Sequence, residues 1–353
     1  MNTSSSLSKL PTIWMEPSGT VKMIHQNELP YRMRVFSSDN YKTTAESIRD
    51  MIVRGAGAIG VAAGFAMAQA FLQSTKQGHS SDFVVAAKAE IDAARPTARN
   101  LFYATQKVFD AGVGGGADAA VAQAQKLAEE DVQMSKAIGE FGNQLIQNNY
   151  KILTHCNAGK LAFVDNGSAL APIYEAHRNN KNIYVFVDET RPRLQGARLT
   201  AWELMQEGVK FDIIPDNAAA HYMSKGEINM VIVGADRIAR NGDVANKIGT
   251  NGVAILARHY NIPFYVLGPT STIDFETATG DDIEIELRDP EEIRSKWYAE
   301  PQAPASVKCY NPAFDVTNHD LIAGIVTEHG ILRAPYADSI EALRRTLFDK
   351  TTD

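Results

Sequence analysis

"YKILTHCNAGKLAFVDNGSALAPIYEAHRNNKNIYVFVDE", Tyr150–Glu189, contains one full turn of a repeating pattern. Ile152-Leu153-Thr154 form a short β-rich run that stops at His155-Cys156-Asn157. A turn of small residues follows, then a helical segment from Ser168 to Asn180, then a second β-rich run from Asn182 to Glu189. Downstream, "KFDIIPD" (210–216), "INMVIVGAD" (228–236) and "PFYVLGP" (263–269) have the same texture. The intervening segments 197–208, 217–226 and 247–260 read as helices. Short strands alternating with helices of roughly 10–15 residues specify βαβ units and a parallel sheet covered on both faces. Residues 149–353 are therefore expected to form a doubly wound α/β domain.

Upstream the texture differs. "TIWMEPSGTVKMIHQNELPYRM" (12–33) places two short runs around Pro17-Ser18-Gly19, a hairpin signal. From Thr43 the pattern is helical, opening on "TTAESIRDMIV", whose Thr followed by Glu suits a capped start. Helical segments then continue to about Gln147. Residues 1–148 are expected to form a smaller domain of a β-hairpin plus helices.

Hydrophobic residues make up 44% of the 353, enough for a large core, and the net charge of −7 is spread without blocks of one sign. That distribution argues against nucleic-acid or membrane-surface partners. Two distant cysteines, Cys156 and Cys309, give neither a disulfide framework nor a zinc spacing. The opening "MNTSSSLSKLP" has no leader-like apolar run, and the most apolar stretch, Ala56–Phe71, reads as short of a membrane span. A cytoplasmic protein is expected.

In open parallel sheets, ligands bind beyond the carboxyl ends of the strands. Those ends carry His155-Cys156-Asn157, Asp188-Glu189, Asp216, Asp236-Arg237 and Thr270. Strand ends are commonly polar because they meet solvent, so each is open to a bland explanation; Cys156 alone would pass for a small buried hydrophobe. "HCNAGK" lacks the Walker spacing, since Thr154 and Leu161 stand where Gly and a hydroxyl are needed. Arg54 before the small-residue turn "GAGAIG", and Arg95 before Pro96, suit phosphate contacts, though helix packing and a solvated Arg are the alternatives. Residues 188–204 and 235–250 each crowd charged and amide side chains into what reads as a strand–helix junction. His155 reads as structural, no metal site is expected, and no GxGxxG follows any strand.

Five segments in order, "RGAGAIG", "THCNAG", "DETRPRLQGARLTAWEL", "GADRIARNGDVANKIGT" and "YNPAFDVT", resemble the S-methyl-5-thioribose-1-phosphate isomerases of methionine salvage. That family is homologous to regulatory subunits of translation initiation factor 2B and to ribose-1,5-bisphosphate isomerases. The resemblance implies a Rossmann-like catalytic domain beside a small N-terminal domain, a homodimer and no cofactor. It implies Cys156 and Asp236 as the catalytic pair, with Arg54, Gly55, Ala56, Arg95, Gln195, Asn246 and Lys247 holding the sugar phosphate. In two places the chain departs from the usual pattern: Gly57 stands where Pro is common, and "KLAFVDNGSALAPIY" follows the thiol turn. The second variant resembles a subgroup associated also with 5-deoxyribose 1-phosphate. A non-catalytic regulatory subunit and a ribose-1,5-bisphosphate isomerase are the rival functions; for the latter "FVDNG" offers Asp165 rather than an extra cation.

The implied chemistry has its own logic. Phosphate caps the anomeric oxygen, so ring opening needs an acid at the ring oxygen, after which hydrogen moves from C2 to C1. An Asp acid is expected to be buried, because burial raises its pKa from about 3.9. For Cys156 two roles stay open, a base at C2 or a polarisable wall for a hydride shift.

Overall fold

The computed structural model describes residues 10–96 and 98–349; the opening segment Met1–Lys9 and Thr97 of the "ARPTARN" motif lie outside the described residues. The chain divides into two compact units, one made of the residues up to Lys136 together with Ala158–Leu170, the other of Ala137–Asn157 and Ala171 onward.

In the first unit the expected hairpin forms from β1 (Ile13–Met15) and β2 (Val21–Ile24), and β3 (Val35–Ser38) joins it antiparallel to β2. The first helix, Tyr41–Arg49, starts two residues before the expected Thr43, because Asn40 Oδ1 accepts the Thr43 N–H at 2.9 Å and so caps it. Helix Ala56–Gln77 runs beyond Phe71. At 22 residues it is long and apolar enough to cross a bilayer by length and composition, contrary to the expectation from sequence. It is instead the core helix of this unit, with every residue from Gly57 to Phe71 buried. The long segment Arg99–Asn143 is two helices meeting at Gly116, whose φ of 76° breaks the helical path.

Ala158–Leu170 is tied into this unit by buried bonds. Thr12 Oγ1 donates to the Lys160 carbonyl at 2.7 Å, Gln26 Nε2 to the Leu161 carbonyl at 2.7 Å, and Val164 N–H to Asp131 Oδ2 at 2.7 Å. Gly57 accounts for its own departure from the family pattern: a Cβ there would lie 2.4 Å from Asp131 Oδ1 and 2.6 Å from the Phe163 ring.

The second unit holds a seven-stranded sheet. Its strands are β4 (Lys151–Thr154), β5 (Tyr184–Asp188), β6 (Lys210–Ile214), β7 (Met230–Val233), β10 (Phe264–Leu267), β13 (Gly324–Thr327) and β14 (Gly330–Leu332). Their spatial order is β14-β13-β10-β7-β4-β5-β6, all parallel except β14. Every one of the five strands expected from sequence is present. Counted along the chain, the six parallel strands lie in the doubly wound order 3-2-1-4-5-6, which reverses between β4 and β7. Strand β7, Met-Val-Ile-Val, is accordingly buried throughout, and β4 is buried from Ile152 to Thr154 with only its first residue, Lys151, partly exposed.

A second, four-stranded sheet was not legible. It orders β11 (Ile273–Asp274), β8 (Arg237–Ala239), β9 (Val244–Lys247) and β12 (Phe314–Thr317). Residues 235–250 are thus a hairpin and not a strand–helix junction. The turn is Asn241-Gly242-Asp243, with Gly242 at φ 93°; Asn241 Oδ1 accepts the Asp243 N–H at 3.0 Å and Asn241 Nδ2 donates to Asp243 Oδ2 at 2.7 Å. Lys247 ends a strand, and the helix starts three residues later at Thr250.

Burial pushes the Asp131 carboxyl up to about 7, with the Val164 N–H pulling it down and the Asp165 charge adding to the rise. The unfolded chain releases this proton near 3.8. The folded state retains it, so the contribution is fully present in acid and is lost as pH climbs from about 4 through about 7. Asp131→Asn should therefore flatten the fall in Tm between pH 5 and pH 8 that the natural protein shows, as thermal denaturation at the two pH values will read.

Candidate active site

The sheet fixes where chemistry can gather. At the reversal of strand order, the loops after neighbouring strands lead in opposite directions and leave a crevice between them. Cys156 lies two residues beyond the end of β4, and Asp236 lies three beyond the end of β7, the strand paired with β4.

Cys156 is buried and has φ 67°, a left-handed conformation that costs an L-residue roughly 1–2 kcal/mol. Threonine hydroxyls hold both sides of its backbone. Its N–H donates to Thr190 Oγ1 at 2.8 Å, and its carbonyl accepts from Thr200 Oγ1 at 2.7 Å. Thr190 is itself left-handed, φ 63°, a rare state for a β-branched residue. Asp216 maintains it, one carboxylate oxygen accepting the Thr190 N–H and the other the Arg191 N–H, both at 2.7 Å. Thr200 also accepts from Asn157 Nδ2, which donates to the buried Glu203 at 2.8 Å; Tyr174 donates to the other Glu203 oxygen at 2.7 Å. Gly196 is obligatory here, since a Cβ would sit 1.7 Å from the Asp188 carbonyl oxygen.

Lys247 is the electrostatic link. It is buried, its Nζ donates to the Ala313 carbonyl at 2.8 Å, and it lies 4.1 Å from the centre of the Phe314 ring. Burial lowers its pKa; the charges of Asp236 and of ionised Cys156 oppose that, Arg288 reinforces it and Glu286 opposes it. Asn246, its neighbour, is buried with its amide on Thr250. Gln195 is buried, and its Oε1 takes no hydrogen bond from any described group. Its loop is braced from outside: Arg193 and Arg198 both lie 4.7 Å from the Trp297 ring, and Arg193 pairs with Glu292 at 2.7 Å.

Asp236 departs from expectation. It is exposed, because it stands on the rim where β7 has ended and the hairpin begins, and its backbone N–H bonds the Ala245 carbonyl at 3.0 Å. Burial by the chain does not supply the expected dry carboxyl. Arg54, Gly55, Ala56 and Arg95 belong to the first unit. Gly55, φ 88°, precedes the helix Ala56–Gln77 and lies so close to Ala162 that a Cβ would meet its Cα at 2.4 Å. Arg54 and Arg95 are half-buried, Arg95 in the loop that follows the helix Ser81–Asp92.

Among the described residues, His155, Asp188 and Asp216 bring ligand-type atoms within 4.8 Å of one another. Their bonds already occupy them. His155 Nε2 donates to the Ile248 carbonyl at 2.8 Å, Nδ1 faces Asp188 Oδ2 at 2.9 Å, and Asp216 holds two backbone amides. Burial would lower His155, but the hydrogen bond and charge of Asp188 outweigh it and the net change is upward. Asp188 is also raised, to about 6, whereas an ordinary ion pair would lower its carboxylate. The His155 direction governs, because Nε2 must carry hydrogen toward a carbonyl and the second proton stays between Nδ1 and Oδ2.

A doubly wound sheet with a thiol and a carboxylate just beyond the two strands at its reversal point defines a Rossmann-like α/β protein. Residues 52–334 match the initiation factor 2 subunit family. The methylthioribose-1-phosphate isomerase of Acetivibrio thermocellus is 48% identical over 337 residues, covering 93% of this chain and 98% of that protein. Among solved structures, 5-methylthioribose 1-phosphate isomerase from Pyrococcus horikoshii OT3 is 40% identical with a TM-score of 0.89, covering 98% of both chains. Translation initiation factor eIF-2B, subunit delta, from A. fulgidus is 37% identical with a TM-score of 0.84, covering 94% of this chain and 100% of that one. The chain belongs to the initiation factor 2 subunit family and, within it, to the methylthioribose-1-phosphate isomerases.

Thr190→Val keeps the shape at that position but strips the Cys156 N–H of its acceptor. Leaving a buried donor unpaired costs about 1–3 kcal/mol, and urea denaturation should register a loss of that order.

Proposed function

We propose that this chain converts S-methyl-5-thio-ribose 1-phosphate to S-methyl-5-thio-ribulose 1-phosphate and also accepts 5-deoxyribose 1-phosphate, acting as a cytoplasmic homodimer without a cofactor. Its class, an aldose–ketose isomerase of sugar 1-phosphates, follows from the family. One observation carries the assignment of roles: Cys156 and Asp236 lie just beyond the ends of two paired strands at the reversal of strand order.

In this proposal Asp236 gives a proton to the ring oxygen, which the phosphate cap on the anomeric carbon makes necessary. Because Asp236 is exposed, the bound sugar must itself displace water from the carboxyl before it becomes an effective acid. Hydrogen then passes from C2 to C1 beside Cys156, either through a base or as a hydride along an apolar wall. Lys247 balances negative charge at both groups, and Gln195 offers a bare carbonyl oxygen to a sugar hydroxyl. Phosphate contacts by Arg54, Gly55, Ala56, Arg95 and Asn246 rest on the family motifs. The 5-deoxy substrate rests on the segment after the thiol turn.

A side-by-side assay of the methylthio, 5-deoxy and 5-phospho forms of ribose 1-phosphate is the test. Turnover of the first two is expected; turnover of none would leave a non-catalytic regulatory role. Asp236→Asn should lower kcat by a factor on the order of 10²–10⁴ while equilibrium binding of substrate persists. Near-normal kcat in that variant would remove the acid from Asp236. In deuterated water, label at C1 of the product would exclude a pure hydride shift.

A further inference from the structure

Between the thiol strand and the Lys247 turn lies one buried side chain that the proposed reaction does not use. His155 Nε2 donates to the carbonyl of Ile248, the residue after Lys247, while Nδ1 bonds Asp188 at the end of β5. The turn rests directly on the ring, since a Cβ on Gly249 would lie 2.9 Å from His155 Cε1. Gly249, at φ 103°, is held from its other side by Asp315 Oδ2, which accepts its N–H at 2.8 Å, while Asp315 Oδ1 accepts the Asn251 N–H at 3.1 Å. His155 thus touches the neighbours of both active groups: it precedes Cys156 in the chain and grips the peptide that follows Lys247.

We propose that His155 is a positioning residue that sets the separation of the Cys156 thiol and the Lys247 ammonium by bracing the Lys247–Gly249 turn against the end of β4. This rests on the reading of Cys156 and Lys247 as active-site groups. Without the brace, the turn relaxes toward Asp315, the ammonium withdraws, and the thiol becomes harder to ionise. The charged groups around the brace are Asp188, Asp216 and Asp315 at the imidazole, and Asp236, Glu286 and Arg288 around Lys247.

The test reads the thiol without substrate. In a Cys309→Ser background, Cys156 is the only cysteine, and its rate of alkylation by iodoacetamide against pH gives the ionisation midpoint. His155→Asn is too short to reach Ile248 and should raise that midpoint by on the order of one pH unit, the effect of moving an opposite charge away. His155→Gln, which extends an amide N–H toward the same carbonyl, should restore most of the shift. Should the Asn variant not fold, Gly249→Ala pushes the turn off the ring and should raise the midpoint likewise. With methylthioribose 1-phosphate, kcat of the folded Asn or Ala variant should fall about tenfold or more, with a smaller change in KM.

A folded Asn or Ala variant titrating like the parent overturns the inference, as does a Gln variant no better than Asn. If the parent turns over no sugar phosphate, the proposed function fails, yet the thiol titration still decides the role of His155.

Discussion

Two threonine hydroxyls hold the backbone of Cys156 in a conformation it would not choose, and much of the second unit serves that grip. Thr190 can accept the Cys156 N–H only because it is left-handed too, and Asp216 keeps it so by taking two successive backbone amides. Thr200 reaches the Cys156 carbonyl from a π-helical turn, Gly196–Thr200, which can pass close to Asp188 because Gly196 has no side chain. Each of these bonds is worth roughly 0.5–1.5 kcal/mol net, enough together to offset two strained residues. The left-handed backbone two residues beyond β4 is thus fixed by buried side chains.

The electrostatics follow the same plan. A buried ammonium is unfavourable by itself, and Lys247 is tolerated because an acceptor carbonyl and an aromatic face lie against it and the charge of Asp236 opposes the cost of burial. Folding has desolvated this cation in advance, whereas the Asp236 carboxylate at the rim stays exposed; under the proposed function, the sugar phosphate would complete the site on binding.

Much of this was readable in the residues. The alternation of Val- and Ile-rich runs with helical segments exposed the parallel sheet, since strands buried on both faces admit few polar side chains. Five ordered motifs then marked Cys156 and Asp236. The second sheet escaped because β8, β9 and β11 are two to four residues long, too short for any period to register. Asn241-Gly242 was the available clue to that hairpin, yet charged neighbours on both sides disguised it as a loop. Nothing local could disclose that Ala158–Leu170 returns to the first unit, because Thr12, Gln26 and Asp131 hold it from far away in sequence. The wet state of Asp236 was equally hidden, since exposure depends on where the strand stops.

The close approach of Asp131 to the helix start at Gly57 constrains how this lineage can change. A pyrrolidine ring at 57 and a carboxylate at 131 would claim the same volume, so the two positions are epistatic. A side chain at 57 requires that both the acid and the Phe163 ring give way. Until then the glycine is locked in by a neighbour seventy-four places away along the chain (131 − 57).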